Sequence, residues 1–319
     1  IYINDVVNGT PVQNISSPKS WGNGLTAPDT GKKNFFYGTL DGDGHVIYGL
    51  YVLNYINPGL FGAIANGAVV KNLGFDNLYF EGGAGSAGAV AGYANYAGLS
   101  TSNVAKIQNC YVVNGSMVAG ATNQMANAGG FIGNASNATI EISNCYVYDV
   151  NFSAKTCNAS MIGKKTTEST VRVYNSYFIG KFPVTSTGNG HNKVMYYNVY
   201  TDQDILAKSS TEADEVIAKL TLDQMKGEAA KTNMTGFDFD NVWTTVENSY
   251  PVFIPKTSDD EEIEVDVWSG SAATAFAGGN GTSEDPYIIE NADQLYYLVS
   301  EVSKASNANF TKGKHFKIT

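Results

Sequence analysis

Short phrases in which apolar and polar residues alternate run along the chain from residue 59 to residue 178. Alternation of this kind predicts half-buried β-strands, because successive side chains of a strand point to opposite faces. These strand phrases carry a central asparagine, and they alternate with apolar turns bounded by small residues. The turns are G-L-F-G from Gly59, G-A-V-A-G from Gly88, G-G-F-I-G from Gly129 and A-S-M-I-G from Ala159.

The central asparagines recur at steps of 37, 35 and 31 residues, at Asn72, Asn109, Asn144 and Asn175. Short strands and glycine corners at such a period are typical of a solenoid, and no helical pattern of usable length lies between them. The pattern therefore predicts an all-β fold, a parallel β-helix built of degenerate Gly- and Asn-rich repeats, over residues 1–257.

The rest of the chain follows a different pattern. Residues 258–266 are densely acidic and predict a solvated linker. Asn291 is a good helix N-cap with Gln294 three residues later, and the apolar spacing from Leu295 onward predicts one amphipathic helix. Because a strand pattern closes the chain, residues 267–319 are predicted to be a short α+β segment that opens a further unit.

The charge balance removes two classes of partner. The 319 residues include 30 acidic and 20 basic side chains, for a net charge of -10, and Arg172 is the only arginine. Nucleic acids and anionic membrane surfaces need clustered basic residues, so the sequence disfavours both. It also contains no apolar run of membrane-spanning length, so we expect no membrane insertion.

The cysteines predict packing rather than chemistry. Cys110 and Cys145 stand in the matching contexts I-Q-N-C-Y-V and I-S-N-C-Y-V, which predicts a buried ladder of small apolar side chains. A disulfide that involves Cys157 is the alternative. The histidines are scattered and form no H-E-x-x-H motif, which excludes a zinc protease within this segment.

Acidic residues suggest two kinds of site, and both are disfavoured. Asp41 and Asp43 in D-G-D-G invite a calcium hypothesis, but a tight glycine turn is favoured because the other EF-hand ligands are missing. Lyases and glycosidases need carboxylates paired at short range. The remaining acids of the array share no register, so we predict no enzyme activity, catalytic residue, metal or cofactor; they are Asp76, Glu81, Glu141, Asp149 and Glu168.

Tyrosines provide the candidate ligand face. Tyr93, Tyr96, Tyr148 and Tyr177 are predicted to be exposed and able to stack on sugars. The tyrosines of the N-C-Y phrases recur from repeat to repeat, however. The competing interpretation is therefore that they stack on one another and stiffen the array.

Several longer phrases resemble those of a known family. They are F-Y-G-T-L-D-G-D-G-H-V-I from Phe36, G-L-F-G from Gly59 and G-G-N-G-T-S-E-D-P-Y-I-I from Gly278. Together with the N-C-Y phrases they resemble the GLUG-motif repeat regions of bacterial surface proteins. The resemblance implies a right-handed parallel β-helix in secreted or wall-attached proteins, often as tandem units of large adhesins. It supplies no catalytic residues.

The phrases that open such a family unit come last in this chain. Six to eight rungs would measure roughly 30 to 40 Å, whereas a nine-residue linker spans at most about 30 Å. We therefore expect residues 267–319 to lie at the far end of the array, where they begin a next unit or complete a neighbouring molecule. The predicted assembly residues are Ile1, Tyr2, Ile3, Phe316, Lys317 and Ile318.

Together these patterns predict a non-enzymatic, extracellular structural or adhesive module, a stiff stalk or filament building block that assembles head to tail. The expected partners are other copies or neighbouring units, and a host or cell-wall glycan or protein. A carbohydrate-binding module on one face is the first alternative, and a polysaccharide lyase or glycosidase is the second.

Overall fold

A computed structural model defines the conformation of most of the chain. The residues that it describes are 1–6, 9–22, 34–53, 56–81, 85–100, 102–118, 126–155, 157–159 (backbone only), 161–180, 194–204, 217–255, 266–304, 307 and 309–319.

Strands dominate the described residues. The first twelve are β1 Thr39–Asp41, β2 Val46–Tyr48, β3 Tyr51–Leu53, β4 Phe61–Ala65, β5 Val69–Lys71, β6 Gly74–Asp76, β7 Tyr79–Glu81, β8 Ser86–Ala87, β9 Ala91–Asn95, β10 Ala105–Gln108, β11 Tyr111–Val118 and β12 Asn127–Gly129. The next twelve are β13 Ile132–Ser136, β14 Thr139–Ser143, β15 Tyr146–Ser153, β16 Cys157–Ala159, β17 Ile162–Lys165, β18 Thr170–Ile179, β19 Val194–Thr201, β20 Ile217–Lys219, β21 Trp243–Val246, β22 Ser249–Phe253, β23 Tyr287–Ile289 and β24 His315–Ile318.

Two α-helices accompany these strands, α1 Gly227–Asn233 and α2 Ala292–Ser303, with short 3-10 turns at Val12–Asn14 and Asp223–Met225. The predicted amphipathic helix is confirmed as α2. The Asn291 Oδ1 accepts a hydrogen bond from the Gln294 backbone N–H at 3.0 Å, as an N-cap should. The prediction of an all-β array is confirmed as well.

Successive repeats place their strands side by side in parallel. In the largest sheet, β1, β5, β10, β14 and β18 are consecutive neighbours. Their central residues stack in register and are buried, and they are Leu40, Val70, Ile107, Ile142 and Val173. Each repeat therefore contributes at least one apolar side chain from this strand to a shared core.

The same order recurs in the other sheets. The strands β2, β6, β11, β15 and β18 form a second limb of the largest sheet, while β4, β9, β13 and β17 form a separate parallel sheet and β8, β12 and β16 form another. The chain thus passes through the same sheets once per repeat. This order explains why the repeat is detectable in sequence although its length varies.

Asparagine makes the corner between the two limbs of the largest sheet. Asn72, Asn109, Asn144, Asn175 and Asn198 all have positive φ, between 45° and 53°. Asparagine tolerates this left-handed conformation better than most residues, because its short polar side chain bonds locally. The amides also bond one another along the stack. Asn109 Nδ2 donates to Asn72 Oδ1 at 2.9 Å, and Asn144 Nδ2 donates to Asn109 Oδ1 at 3.1 Å.

Residues 266–319 cover the first repeat of their own chain. Strand β24 pairs in parallel with β1, so that Phe316 lies beside Leu40, and β23 pairs with β24. Tyr2 bridges to both Val267 and Tyr48. The buried apolar residues of α2 and β24 belong to the same core as those of the repeats.

The predicted position of this C-terminal segment at the far end is therefore wrong. Strand β20 adds one more parallel strand next to β19, but residues 220–255 do not extend the array. They run back along its side, so that Ile254 and Pro255 line the same cavity as Gly44 and Asn72 of the first two repeats. The chain has thus already returned before the acidic linker, most of which (258–265) lies outside the described residues.

Residues 266–319 form a cap on the first repeat. The proposed assembly residues belong to this cap or lie against it within one chain. Ile3, Phe316 and Ile318 are almost fully buried, and Lys317 Nζ lies 2.9 Å from Asp43 Oδ2. Head-to-tail pairing through these residues would require the cap to leave the first repeat.

Replacement of Phe316 by alanine should destabilise the chain by about 3–5 kcal/mol, because it empties a fully packed aromatic site in the cap. Chemical denaturation measures the change, with the exposed Lys312→Ala as the control. Because the cap belongs to the same chain, the wild-type midpoint should not depend on protein concentration. A midpoint that rises with concentration would instead show capping by a second molecule.

Substitution at the corner should separate backbone strain from side-chain bonding. Asn109→Ala should cost about 1–3 kcal/mol, because alanine is strained at positive φ and leaves Asn72 and Asn144 without their amide partner. Asn109→Gly relieves only the strain and should cost less. Asn103→Ala, at an exposed position without positive φ, is the control for thermal unfolding. Equal losses of stability in Asn109→Ala and Asn109→Gly would show that strain at positive φ does not contribute.

Candidate functional site

Three tyrosines from successive repeats stack face to face on the outside of β11, β15 and β18. The ring centroids of Tyr111 and Tyr146 are 4.9 Å apart, and those of Tyr146 and Tyr177 are 5.1 Å apart, with interplanar angles of 3°. Tyr111 lies over Gly74, where an added Cβ would meet the ring at 2.3 Å. The competing prediction of an aromatic ladder is confirmed for these tyrosines.

A hairpin of β21 and β22 covers this ladder. The ring centroid of Trp243 is 5.9 Å from those of Tyr146 and Tyr177, and the Tyr177 hydroxyl donates to the Pro251 carbonyl at 2.7 Å. Burial raises the pKa of the Tyr146 and Tyr177 hydroxyls above their usual range, so both remain protonated. The aromatic residues of 237–253 therefore form a strap along the side of the array.

The four tyrosines proposed as a ligand face do not lie together. Tyr177 is fully buried, so the expectation that it is exposed is wrong. Tyr148 is half-buried, and its ring centroid is 5.7 Å from that of Tyr250 in the strap. Tyr93 lies on β9 in a different sheet, and Tyr96 follows that strand. Sequence spacing alone did not reveal that β9 and β15 belong to different sheets.

The D-G-D-G phrase forms a tight turn whose aspartates are bound by protein groups. Asp41 Oδ2 lies 2.9 Å from Lys71 Nζ, and its Oδ1 accepts from Asn72 Nδ2 at 2.9 Å. Burial alone would raise the pKa of Asp41, but the bonds from Asn72 and Lys71 outweigh it and lower the pKa. No metal-binding group of three His, Cys, Asp or Glu side chains occurs among the described residues.

Cys110 and Cys145 are free thiols buried on adjacent repeats. Each Sγ donates to a nearby backbone carbonyl at 3.2 Å, to Gln108 and Ser143 respectively. Burial raises the pKa of the Cys145 thiol, which keeps it protonated and poorly nucleophilic. The side chain of Cys157 lies outside the described residues.

One carboxyl group differs from the other acids in its environment. Asp76 on β6 lies beside Tyr48 on β2, and its Oδ1 accepts from Asn114 Nδ2 at 2.9 Å. Partial burial raises the pKa of Asp76, and the bond from Asn114 offsets only part of this effect. The pKa of Asp76 depends on which strands become its neighbours. The composition of the sequence therefore does not predict that this pKa is raised.

Asp149 lies two repeats further on at a neighbouring register position. Asn77 directly follows β6, whereas Asn114 and Asp149 take the corresponding places inside β11 and β15, one residue after the partners of Asp76. Their φ values are 58°, 52° and 53°. Irregular repeat lengths hide this relation in the sequence. An Asn or Asp five residues after the central asparagine of each repeat is the signal that would have revealed it.

Comparison with known proteins gives limited information. No family model and no curated protein matches the sequence. Among solved structures, a protein from Bacteroides ovatus described as a "putative immunoglobulin A1 protease" is 20% identical, with a TM-score of 0.42 over 67% of this chain and 76% of that chain. A similarity this low supports no argument about this protein. Within the described residues, neither helix has the length and apolarity needed to cross a membrane.

Asp76→Asn should raise the melting temperature at neutral pH. Because burial raises the folded-state pKa of Asp76, wild-type stability falls as pH rises from the unfolded-state pKa to the folded-state pKa. Asparagine removes this loss and still offers Asn114 an oxygen acceptor. The advantage should vanish below about pH 4, where the wild-type carboxyl is protonated in both states.

Differential scanning fluorimetry from acid to neutral pH measures this difference. Asp240→Asn, at an exposed position in the strap, should reproduce the wild-type curve. An Asp76→Asn variant that is less stable than wild type at neutral pH would show that the ionised carboxylate is stabilising there.

Proposed function

We propose that this chain is a right-handed parallel β-helix that acts as a stiff, non-enzymatic structural module of an extracellular bacterial surface protein. The support for the fold is the in-register stacking of parallel strands from successive repeats in the three sheets that the repeats form. The support for the extracellular location is the resemblance of its phrases to GLUG-motif repeats. Neighbouring units of the same polypeptide are its proposed structural partners.

Stiffness arises from three columns of interactions that run along the stack. Backbone hydrogen bonds join each strand to the next, the corner asparagines join side chain to side chain, and the tyrosine ladder adds aromatic stacking. Each column continues from one repeat to the next. Bending the rod would therefore strain bonds in several columns at once. The aromatic strap ties the third column to the rod's side.

One observation most strongly supports a role in display: the cap places residues 2 and 319 at the same end of the repeats. The Trp268 N–H donates to the Tyr2 carbonyl at 2.8 Å, and the Thr319 N–H donates to the Ile289 carbonyl at 3.0 Å. The repeats therefore project away from the point where both segments lie. In this proposal, the module holds its side faces at a fixed distance from that point.

Spin-label distance measurements test the rod. Tyr2, β2, β6, β11, β15, β18 and β19 are consecutive neighbours, so labels at Asp5 and Asp204 should lie about 29 Å apart, six strand spacings. The distribution should be narrow. Labels at Asp5 and Ser269, both in the capped end, provide the short control distance.

A broad distribution between Asp5 and Asp204, with a narrow one for the control pair, would overturn the proposal of a stiff rod. A long distance between Asp5 and Ser269 would overturn the display geometry, because the cap would then lie elsewhere. Both measurements are made on the whole chain.

A further inference from the structure

Several of the N-terminal residues from Tyr2 to Gln13, together with one face of the repeats, line a cleft beside β2, β6, β11 and β15. The cleft has a volume of about 620 Å³, within the usual range for ligand sites. Asn77 binds the N-terminal segment that forms the outer wall of the cleft. Its Oδ1 accepts from the Val12 N–H at 2.9 Å, and its Nδ2 donates to the Thr10 carbonyl at 2.8 Å.

Polar side chains from three successive repeats line the floor of this cleft. Asn114 donates to Asp76, and Asn151 Nδ2 donates to Ser116 Oγ at 3.3 Å. Each of these amides carries a second N–H and an oxygen acceptor. Asp149 is exposed beside them and adds a carboxylate acceptor. The floor therefore presents alternating donors and acceptors at fixed positions.

An aromatic surface closes one end of the cleft. Tyr2 and Tyr48 stack with ring centroids 4.5 Å apart and an interplanar angle of 13°. Strand pairing places Tyr48 beside Asp76. An apolar ring next to a carboxylate suits a ligand that has an apolar C–H face and hydroxyl groups around its edge, since the face packs on the ring while the hydroxyls donate.

The charge of the cleft determines which ligands of this kind fit. Among the described residues that line it, Asp76 and Asp149 are charged and none is Lys, Arg or His. Two carboxylates repel phosphates, sulfates and uronic acids. From Tyr48 to Asp149 the floor crosses three strand spacings, about 14 Å, which is long enough for several linked sugars.

We propose that this cleft binds a neutral oligosaccharide, with a pyranose packed against the Tyr2–Tyr48 aromatic pair and later sugars hydrogen-bonded to Asn114, Ser116, Asp149 and Asn151. This binding function is additional to the proposed structural role and does not depend on the rod's stiffness. It also differs in position from the tyrosine face that the sequence predicted.

Isothermal titration calorimetry of the whole chain tests the proposal. The probes are neutral hexasaccharides of β-1,4-linked glucose, xylose and mannose and of α-1,4-linked glucose, with oligogalacturonate as the anionic comparison. EDTA is present so that no bridging cation contributes. At least one neutral probe should bind and the anionic probe should not.

Ser116→Tyr fills the cleft from a strand surface and should weaken binding by about tenfold or more, which corresponds to about 1.4 kcal/mol. Ser143→Tyr, the same change on β14 outside the cleft, should bind as wild type does. Asp149→Asn keeps the residue shape at positive φ and should weaken binding through its weaker acceptor. Unfolding curves should show that all three variants are folded.

Failure of every neutral probe to bind wild type would overturn the proposal. Equal affinity in Ser116→Tyr and wild type would overturn the assignment to this cleft, as would preferential binding of oligogalacturonate. Since the spin-label distances concern only the rod, these outcomes are distinguishable from failure of the structural proposal.

Discussion

The structure depends on the in-register stacking of parallel strands from one repeat to the next. A parallel strand leaves hydrogen-bonding groups on both edges, so each repeat needs a neighbour on each side. Stacking also determines which side chains of successive repeats lie next to each other. Leucine, valine and isoleucine meet inside, asparagine meets asparagine at the corner and tyrosine meets tyrosine outside. A repeat that lost register would break all three columns at once.

The C-terminal segment of the chain covers the outer edge of the first repeat at β1. Strand β24 provides the missing edge partner for β1, and α2 covers the apolar end of the core. The aromatic strap makes this possible because it carries the chain back along the tyrosine ladder. Two features with no obvious relation in sequence, the aromatic stretch 237–253 and the C-terminal strand, are thus parts of one solution to an exposed end.

The same stacking generates the proposed ligand cleft. Asn77 occupies a corner position equivalent to Asn114 and Asp149, but its amide binds the N-terminal segment. Because Asn77 binds the N-terminal segment, that segment forms a wall over the polar groups of the following repeats. A regular array thereby acquires one non-repeating surface, and such a surface provides a defined site on an otherwise uniform face.

The recurring asparagines were predicted at the centre of strands, whereas the fold places them at the corner between two limbs of the sheet. Local patterns along the chain were enough to predict the alternating strands, the repeat, the buried cysteines and helix α2. These features depend on local alternation, on turn chemistry and on similarity between repeats, all of which a single chain records. The positions of residues 217–255 and 266–319 were not predictable in this way, and neither were the burial of Tyr177 and the contacts of Phe316. Their positions depend on packing between segments far apart in the chain. The length of a linker limits such packing only when the position of its first residue is known, and Pro255 had already returned to the first repeats.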